Sequence, residues 1–386
     1  MNPSVSREKT AVIPTRDDTV RLLDIAISSG AENIAVVGLA KNSGKTVALN
    51  AIIKQAQALK IRIGVASSGR DGEKLDAVTR LPKPRITLQK GALVATTERL
   101  AMNSSASLEP LIKTKHATVL GRLIIYRVSS PGSVEVASGN KASVVKNVTE
   151  LMRHLGAELI LIDGAAGRKF SSAPSLADTT ILSTGAVVAP TVEGVISRTA
   201  HVVEILTTEE WSDPSRQTFD PEALTNQDVV IISWAAMGKQ PKSVKVESVL
   251  VSAAEIVRQL PGPGGTIVLG GALPGNLLRD LITCRVARGS TVVVHDATRI
   301  LARHRDISLF KSGGGRIKVL QKIRLAAITT NPVSPDGRMF DAETLLTAIA
   351  RTVRPIPVID VIAGKTRNLP TYHEKARDET DGDGVA

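Results

Sequence analysis

Apolar positions along this chain follow two alternating patterns. DDTVRLLDIAISSGAEN opens with aspartates suited to capping a helix, sets Val20, Leu23, Ile25 and Ile27 at helical spacing, and closes near Gly30. NIAVVG follows as an unbroken apolar run ended by glycine, the pattern of a strand buried on both faces. TVALNAIIKQAQALK returns to helical spacing, and IRIGVAS is a second apolar run. Together they predict a strand–turn–helix–strand unit with a right-handed crossover.

The alternation continues down the chain. VTELMRHLG leads as a helix into the run AELILIDG at 157–164, SLADTTILSTGAVVA at 175–189 holds a strand, and VEGVISRTAHVVEIL at 192–206 predicts a helix. Further strands are predicted at 229–234, 246–251, 265–271, 290–296, 323–331 and 355–364, apolar runs set between polar and turn residues. The fold class is α/β, a mostly parallel sheet flanked by helices, with a second α/β segment. Loops or boundaries are expected at 213–228 and 310–316. Residues 1–16 read as a flexible arm and 366–386 as a disordered tail.

The turn after the first strand carries the most informative stretch, GLAKNSGKTVALN at 38–50. A phosphate loop has the form G-x-x-x-x-G-K-[ST], with backbone N–H groups converging on an anion at a helix N-terminus. Here Gly38 stands one position earlier than that form requires. Gly-Lys-Thr can open a helix by chance, but then rarely after a buried strand. The expected nucleotide-binding set is Gly38, Asn42, Ser43, Gly44, Lys45, Thr46 and Val47. The glycines turn the chain, the amides meet the phosphates, Lys45 neutralises β- and γ-phosphate oxygens, and the Thr46 hydroxyl meets Mg²⁺. The fold is therefore expected to be P-loop NTPase-like.

Three other positions extend this set. ELILIDGAAGR ends an apolar run on Asp163, a candidate Mg²⁺ carboxylate acting through water, although an Asp there can also cap a turn. Asp71 and Glu73, in SSGRDGE, are candidates for a carboxylate that orients water or metal, or belong to a solvated turn. Arg168 could reach a γ-phosphate or a partner. Asn331, in ITTNPVSPDGRMFD, offers the donor and acceptor an adenine edge requires, and Asn-Pro is also an ordinary turn starter. The catalytic candidates are Lys45, Asp163 and Asp71, with Thr46 and Asp163 as metal ligands. On this reading 17–190 and 323–365 form one nucleotide-binding domain, with 191–322 inserted into it or appended.

Composition narrows the alternatives. The net charge is +12, and residues 285–324 hold ten Lys/Arg against Asp296 and Asp306. Such a block is a solvated face, a dock for an acidic partner or a phosphate-backbone footprint. Aromatics are only 2% of the chain, which leaves few platforms for stacking single-stranded nucleic acid, and no nucleic-acid-binding motif accompanies the charge. Nucleic acid is therefore an unfavoured partner. The single cysteine, Cys284, excludes an internal disulfide and sits in a helical pattern that predicts a core position. His116, His154, His201, His295, His304 and His373 have no H-x-x-x-H spacing, so no zinc site is expected. No run has the length of a signal peptide or a membrane span, and a cytoplasmic protein is expected.

Two resemblances add to this reading. The early glycine is similar to the longer loop of dethiobiotin synthetase and the cobyrinic acid synthases, G-T-x-T-G-V-G-K-T, so the extra residue reads as a family variant. More widely, GLAKNSGKTVALN, SSGRDGE, KPRI, GALVATTERL, AELILIDGAAGRKFSSAPSLADTTILSTGAVV, VVVHDATRIL and TTNPVSPDGRMFD occur in this order over roughly 20–364. They resemble the smaller ATPase subunit of the lysine 5,6-aminomutase reactivating factor (KamB-type proteins). That resemblance implies an ATP- and Mg²⁺-dependent, chaperone-like ATPase with a MutS-like second subunit. Its client would be an aminomutase using adenosylcobalamin and pyridoxal phosphate, from which it releases damaged cobalamin. Lys45, Thr46 and Asp163 carry over as nucleotide and Mg²⁺ residues. The alternatives are an ATP-dependent ligase of the dethiobiotin or cobyrinic acid kind, activating a small carboxylate, and a nucleotide-dependent regulatory or nucleic-acid-binding protein.

Overall fold

A computed structural model describes residues 21–68, 85–137, 139, 141–164, 169–220, 223–232, 242–245, 249, 253–260 and 264–369. Helix α1 (Leu22–Ile27) precedes β1 (Asn33–Gly38), α2 (Lys45–Ala58), β2 (Ile63–Ser67), β3 (Ile86–Leu88), β4 (Leu93–Thr97) and α3 (Glu98–Met102). Next come β5 (Ser107–Thr118), β6 (Gly121–Ser130), β7 (Gly132–Val134), α4 (Ala142–His154), β8 (Leu159–Asp163), β9 (Thr179–Gly185) and α5 (Val192–Leu206). A second group holds β10 (Asp228–Ile232), β11 (Lys242–Lys245), α6 (Ala253–Arg258), β12 (Gly265–Leu269), α7 (Gly275–Thr283), β13 (Ser290–Val294), α8 (His304–Ser312) and β14 (Arg316–Val319). The chain then adds β15 (Leu325–Asn331), α9 (Ala342–Thr352), β16 (Val358–Asp360) and β17 (Lys365–Arg367).

Ten strands form one sheet in the order β17-β16-β15-β9-β1-β8-β2-β4-β6-β5. The seven from β16 to β4 run parallel, and β17, β6 and β5 run antiparallel to their neighbours. A five-stranded sheet, β11-β10-β12-β13-β14, is parallel only from β12 to β14. The chain leaves the large sheet after β9, builds the small one and returns to pair β15 with β9. The α/β class with a large, mostly parallel sheet is thus observed.

Alternation along the strands explains the layers. Ile34, Val36 and Leu161 pack with Leu49 and Ile52 of α2 and Leu23 of α1, whereas Ala35, Ile160 and Ile162 pack with Val145, Val148 and Met152 of α4. A period of two sends neighbouring residues to opposite faces, so a strand covered on both faces reads as a continuous apolar run. The face holding Val37, Leu182 and Ile328 continues through Val195 and Val203 of α5 into Ile231, Ile267 and Val292 of the small sheet. One hydrophobic cluster therefore spans both sheets, with α5 between them.

Several expectations change. The antiparallel pair β5–β6 has no counterpart among the predicted runs: β5 is an edge strand, half-exposed or exposed over most of its length, so no apolar run marks it. Cys284 is exposed and not core, because α7 ends at Thr283 and the backbone turns left-handed at Arg285 (φ 57°). Of the strand expected at 246–251, only Val249 is described, buried and in a turn. The expected arm, 1–16, and residues 370–386 of the tail lie outside the described residues; residues 366 and 367, expected in that tail, belong to β17, and the loop expected at 310–316 instead holds the end of α8 and the start of β14. No helix among the described residues is long and apolar enough to cross a membrane.

Candidate functional site

The parallel register gathers the ends of five strands at one edge. Val36 pairs with Asp163, Ser67 with Asp163, Gly38 with Ser183, and Asn331 with Gly185. Ligands of open parallel sheets bind outside these carboxyl ends. Between β1 and α2 the chain forms the 39–44 turn, pinned at its start by the Leu39 N–H donating to Ser183 O at 3.0 Å.

The turn's shape depends on its small residues. Asn42 (φ 63°) and Gly44 (φ 95°) are both left-handed, a region glycine enters freely and asparagine tolerates. Gly38 is required by a close approach: a Cβ there would lie 2.5 Å from Ser43 Oγ. Ser43 is 1% exposed, and its hydroxyl has no hydrogen-bond partner among the described residues. A buried polar atom without a partner is costly unless a ligand or water completes it.

Helix α2 opens toward this turn with no side-chain cap and no acidic residue in its first turn. By contrast, the Asp341 side chain at α9 accepts from Thr344 N at 2.8 Å, and the Thr191 side chain at α5 from Gly194 N at 3.1 Å. Among the described residues the start of α2 therefore has no side-chain cap for its first amides, a condition that favours an external anion. Lys45, the first residue of α2, donates to Asp163 Oδ1 at 2.5 Å, with both side chains about one-fifth exposed. Thr46 is half-buried beside it and Val47 is exposed.

Asn331 reaches the turn from the end of β15. Its Nδ2 donates to Asn42 O at 3.1 Å, and its Oδ1 accepts from Val333 N at 3.2 Å. Its Cβ lies so near Gly44 that a Cβ on the glycine would stand 3.0 Å away. The amide thus braces the turn, and reading a base edge would rely on the second N–H and lone pair these bonds leave over. Asp71, Glu73 and Arg168 lie outside the described residues.

Sequence reasoning overlooked two supports of this edge. Arg338 Nη1 donates to Ala189 O at 2.7 Å, and Arg198 donates to Val188 O, so two guanidinium groups hold the turn after β9. The SPDGR stretch signals a turn, but nothing in it indicates which carbonyls the arginine meets. The same edge holds Ser67 and Ser68, whose side chains turn to the Asp163 carbonyl, Ser67 Oγ at 3.2 Å.

The small sheet has its own cavity, about 400 Å³, lined by residues including Thr225, Asn226, Gly270, His295 and Arg299. None of its lining residues belongs to the 38–46 loop. Asp296 lies beneath it. Burial opposes ionisation of its carboxyl, but hydrogen bonds from His295 and Thr298 outweigh that and hold it below the usual carboxylate range. Comparison with protein-family models, curated proteins and solved structures finds no match.

Proposed function

We propose that the 38–46 loop binds ATP with Mg²⁺, making the protein a P-loop ATPase. The supporting observation is the Lys45–Asp163 pair at the open N-terminus of α2, beside the orphaned Ser43 hydroxyl. A cation, an acid on the adjacent strand, uncapped amides and a glycine-shaped cradle together fit a polyphosphate with its metal. With nucleotide bound, Lys45 would exchange Asp163 for phosphate oxygens, leaving the Asp163 carboxylate available to the Mg²⁺ site. Thr46 offers its hydroxyl as a metal ligand. Bound Mg²⁺ would supply charge neutralisation across the transferring phosphoryl group. Asn331 keeps Asn42 left-handed, so the turn is set before the nucleotide arrives.

Within that chemistry, the ordered phrases from GLAKNSGKTVALN to TTNPVSPDGRMFD favour a reactivating subunit for an adenosylcobalamin- and pyridoxal-phosphate-dependent aminomutase, acting with a MutS-like subunit. The position of Gly38 favours a second reading, a ligase of the dethiobiotin type. The discriminating experiment is Mg²⁺-dependent ATP hydrolysis by wild type and Lys45→Ala, alone and with diaminopelargonic acid plus bicarbonate. Slow, Lys45-dependent turnover without an acceptor supports the reactivator. Product that forms only with the carboxylate substrate makes the chain a ligase.

A further inference from the structure

Away from the loop, α5 and the start of α8 assemble three side chains with metal-ligating chemistry. His201 and Glu204 are one turn apart on α5, and His304 is the first residue of α8. One ligand atom from each lies within 4.8 Å of the others. The two imidazole rings meet edge to face, centroids 4.9 Å apart. His201 and Glu204 are half-buried and His304 is exposed, so the group sits at the rim of a helix pair, open to an entering ion. Chain spacing gives no hint of it, because the second imidazole comes from a distant helix. The absence of H-x-x-x-H spacing in the sequence says nothing about such a group, because the fold brings its donors together from two helices.

We propose that His201, Glu204 and His304 form a site for a divalent transition metal of the zinc class, fastening the small-sheet unit to α5. Two imidazole nitrogens and one carboxylate oxygen match zinc, whereas Mg²⁺ and Ca²⁺ prefer oxygen ligands. Zinc bonds of about 2.1 Å in a tetrahedron place donor atoms about 3.4 Å apart. Small side-chain rotations close the observed triangle to that size. The fourth position falls to water.

Glu204 Oε1 accepts from Lys311 Nζ at 2.6 Å. That pair joins the same two helices, and its side chains are 38% and 45% exposed, so it contributes little and yields readily. The metal would replace this weak clasp with coordinate bonds between α5 and α8. Because α5 also packs into the cluster shared by both sheets, the ion would stiffen the junction without touching the loop.

The test uses the full-length chain, stripped with a chelator and then titrated with Zn²⁺, and with Co²⁺ as a spectroscopic stand-in. One equivalent should bind, Co²⁺ should show four-coordinate visible bands, and Zn²⁺ should raise the thermal midpoint. His304→Ala, at an exposed position, and Glu204→Gln should each weaken Zn²⁺ binding by about tenfold or more and remove the Co²⁺ bands. Lys45→Ala should bind the metal as wild type does, which separates this site from the nucleotide reading. No equivalent bound at tens of micromolar Zn²⁺, or binding unchanged in both site variants, overturns the proposal.

Discussion

Two strand–glycine turn–helix units in this protein share a plan and differ in what occupies the helix mouth. In the large sheet, β1 passes through Gly38 and Gly44 into α2, whose first residue is the cation Lys45. In the small sheet, β12 passes through Gly270 and Gly271 into α7, whose first residue is Gly275. The Asp306 carboxylate lies against Gly275 where a Cβ would stand, tied at 2.9 Å to Arg279 one turn along α7. One unit therefore carries its own anion at the helix start, and the other has a lysine there, paired with Asp163. The nearby acids divide in the same way. Asp296, after β13, is taken up by His295 and Thr298, whereas Asp163, at the end of β8, has its carboxylate paired with the ammonium of Lys45. Glycine turns after strands are thus by themselves poor evidence of a phosphate site.

The largest effect should follow from removing that cation. Lys45→Ala should lower Mg²⁺-dependent ATP turnover by about two to three orders of magnitude, as loss of a group that stabilises transferring charge does. Arg299→Ala, in the small-sheet cavity, should leave turnover unchanged. Steady-state phosphate release on both variants checks the contrast, and equal losses would break it.

Next comes the shape of the turn. Gly38→Ala drives a methyl into the buried Ser43 hydroxyl, which should cost about 1–3 kcal/mol in stability and weaken nucleotide binding as well. Urea unfolding and a nucleotide titration read the two effects, and an unaffected variant would show that the turn is looser than described.

The internal anion gives a smaller effect with the opposite specificity. Asp306→Asn should lower unfolding free energy by about 1–2 kcal/mol, since the start of α7 and Arg279 lose the buried carboxylate that compensates them, and should spare ATP turnover. Loss of turnover at unchanged stability would contradict the assignment of Asp306 to structure.

The smallest effect is a pH dependence. The Asp296 carboxyl is held below its ordinary value of 3.8, so its contribution is present above about pH 4 and is lost as the pH falls through the depressed folded value. The stability gap between wild type and Asp296→Asn should therefore be constant near neutrality and close under strongly acidic conditions. A gap that instead opens as the pH falls would reverse the sign of the linkage.

Legibility in the sequence followed burial only in part, since β4 and the centre of β6 are buried and were not among the predicted strands. β1 and β8 are covered on both faces, so each appears as an apolar run, and Asp163 stands out as the charge that ends one; β9 is as buried but shows only Ile181 and Leu182 between threonines and a serine. Edge strand β5 lacks such a run, with Glu109, Lys113 and Lys115 along it. Cys284 follows Leu281 at core spacing, but α7 ends at Thr283 and the C-cap position of Cys284 is exposed. For the site, Gly38, Gly44 and Lys45 were readable because the loop is local. The bracing bonds of Asn331 to Asn42, and the meeting of His201 with His304, join distant segments and leave no pattern in the chain.

The central claim is that nucleotide binds at the open mouth of α2 and not at the small-sheet cavity. Amide hydrogen exchange of the full-length protein, with and without ATP and Mg²⁺, addresses it directly. The account predicts slowed exchange across 39–47 and at the end of β8, lost in Lys45→Ala, with 224–226 and 295–299 unchanged. Protection confined to 224–226 and 295–299, or no protection at 39–47 under saturating nucleotide, would contradict it.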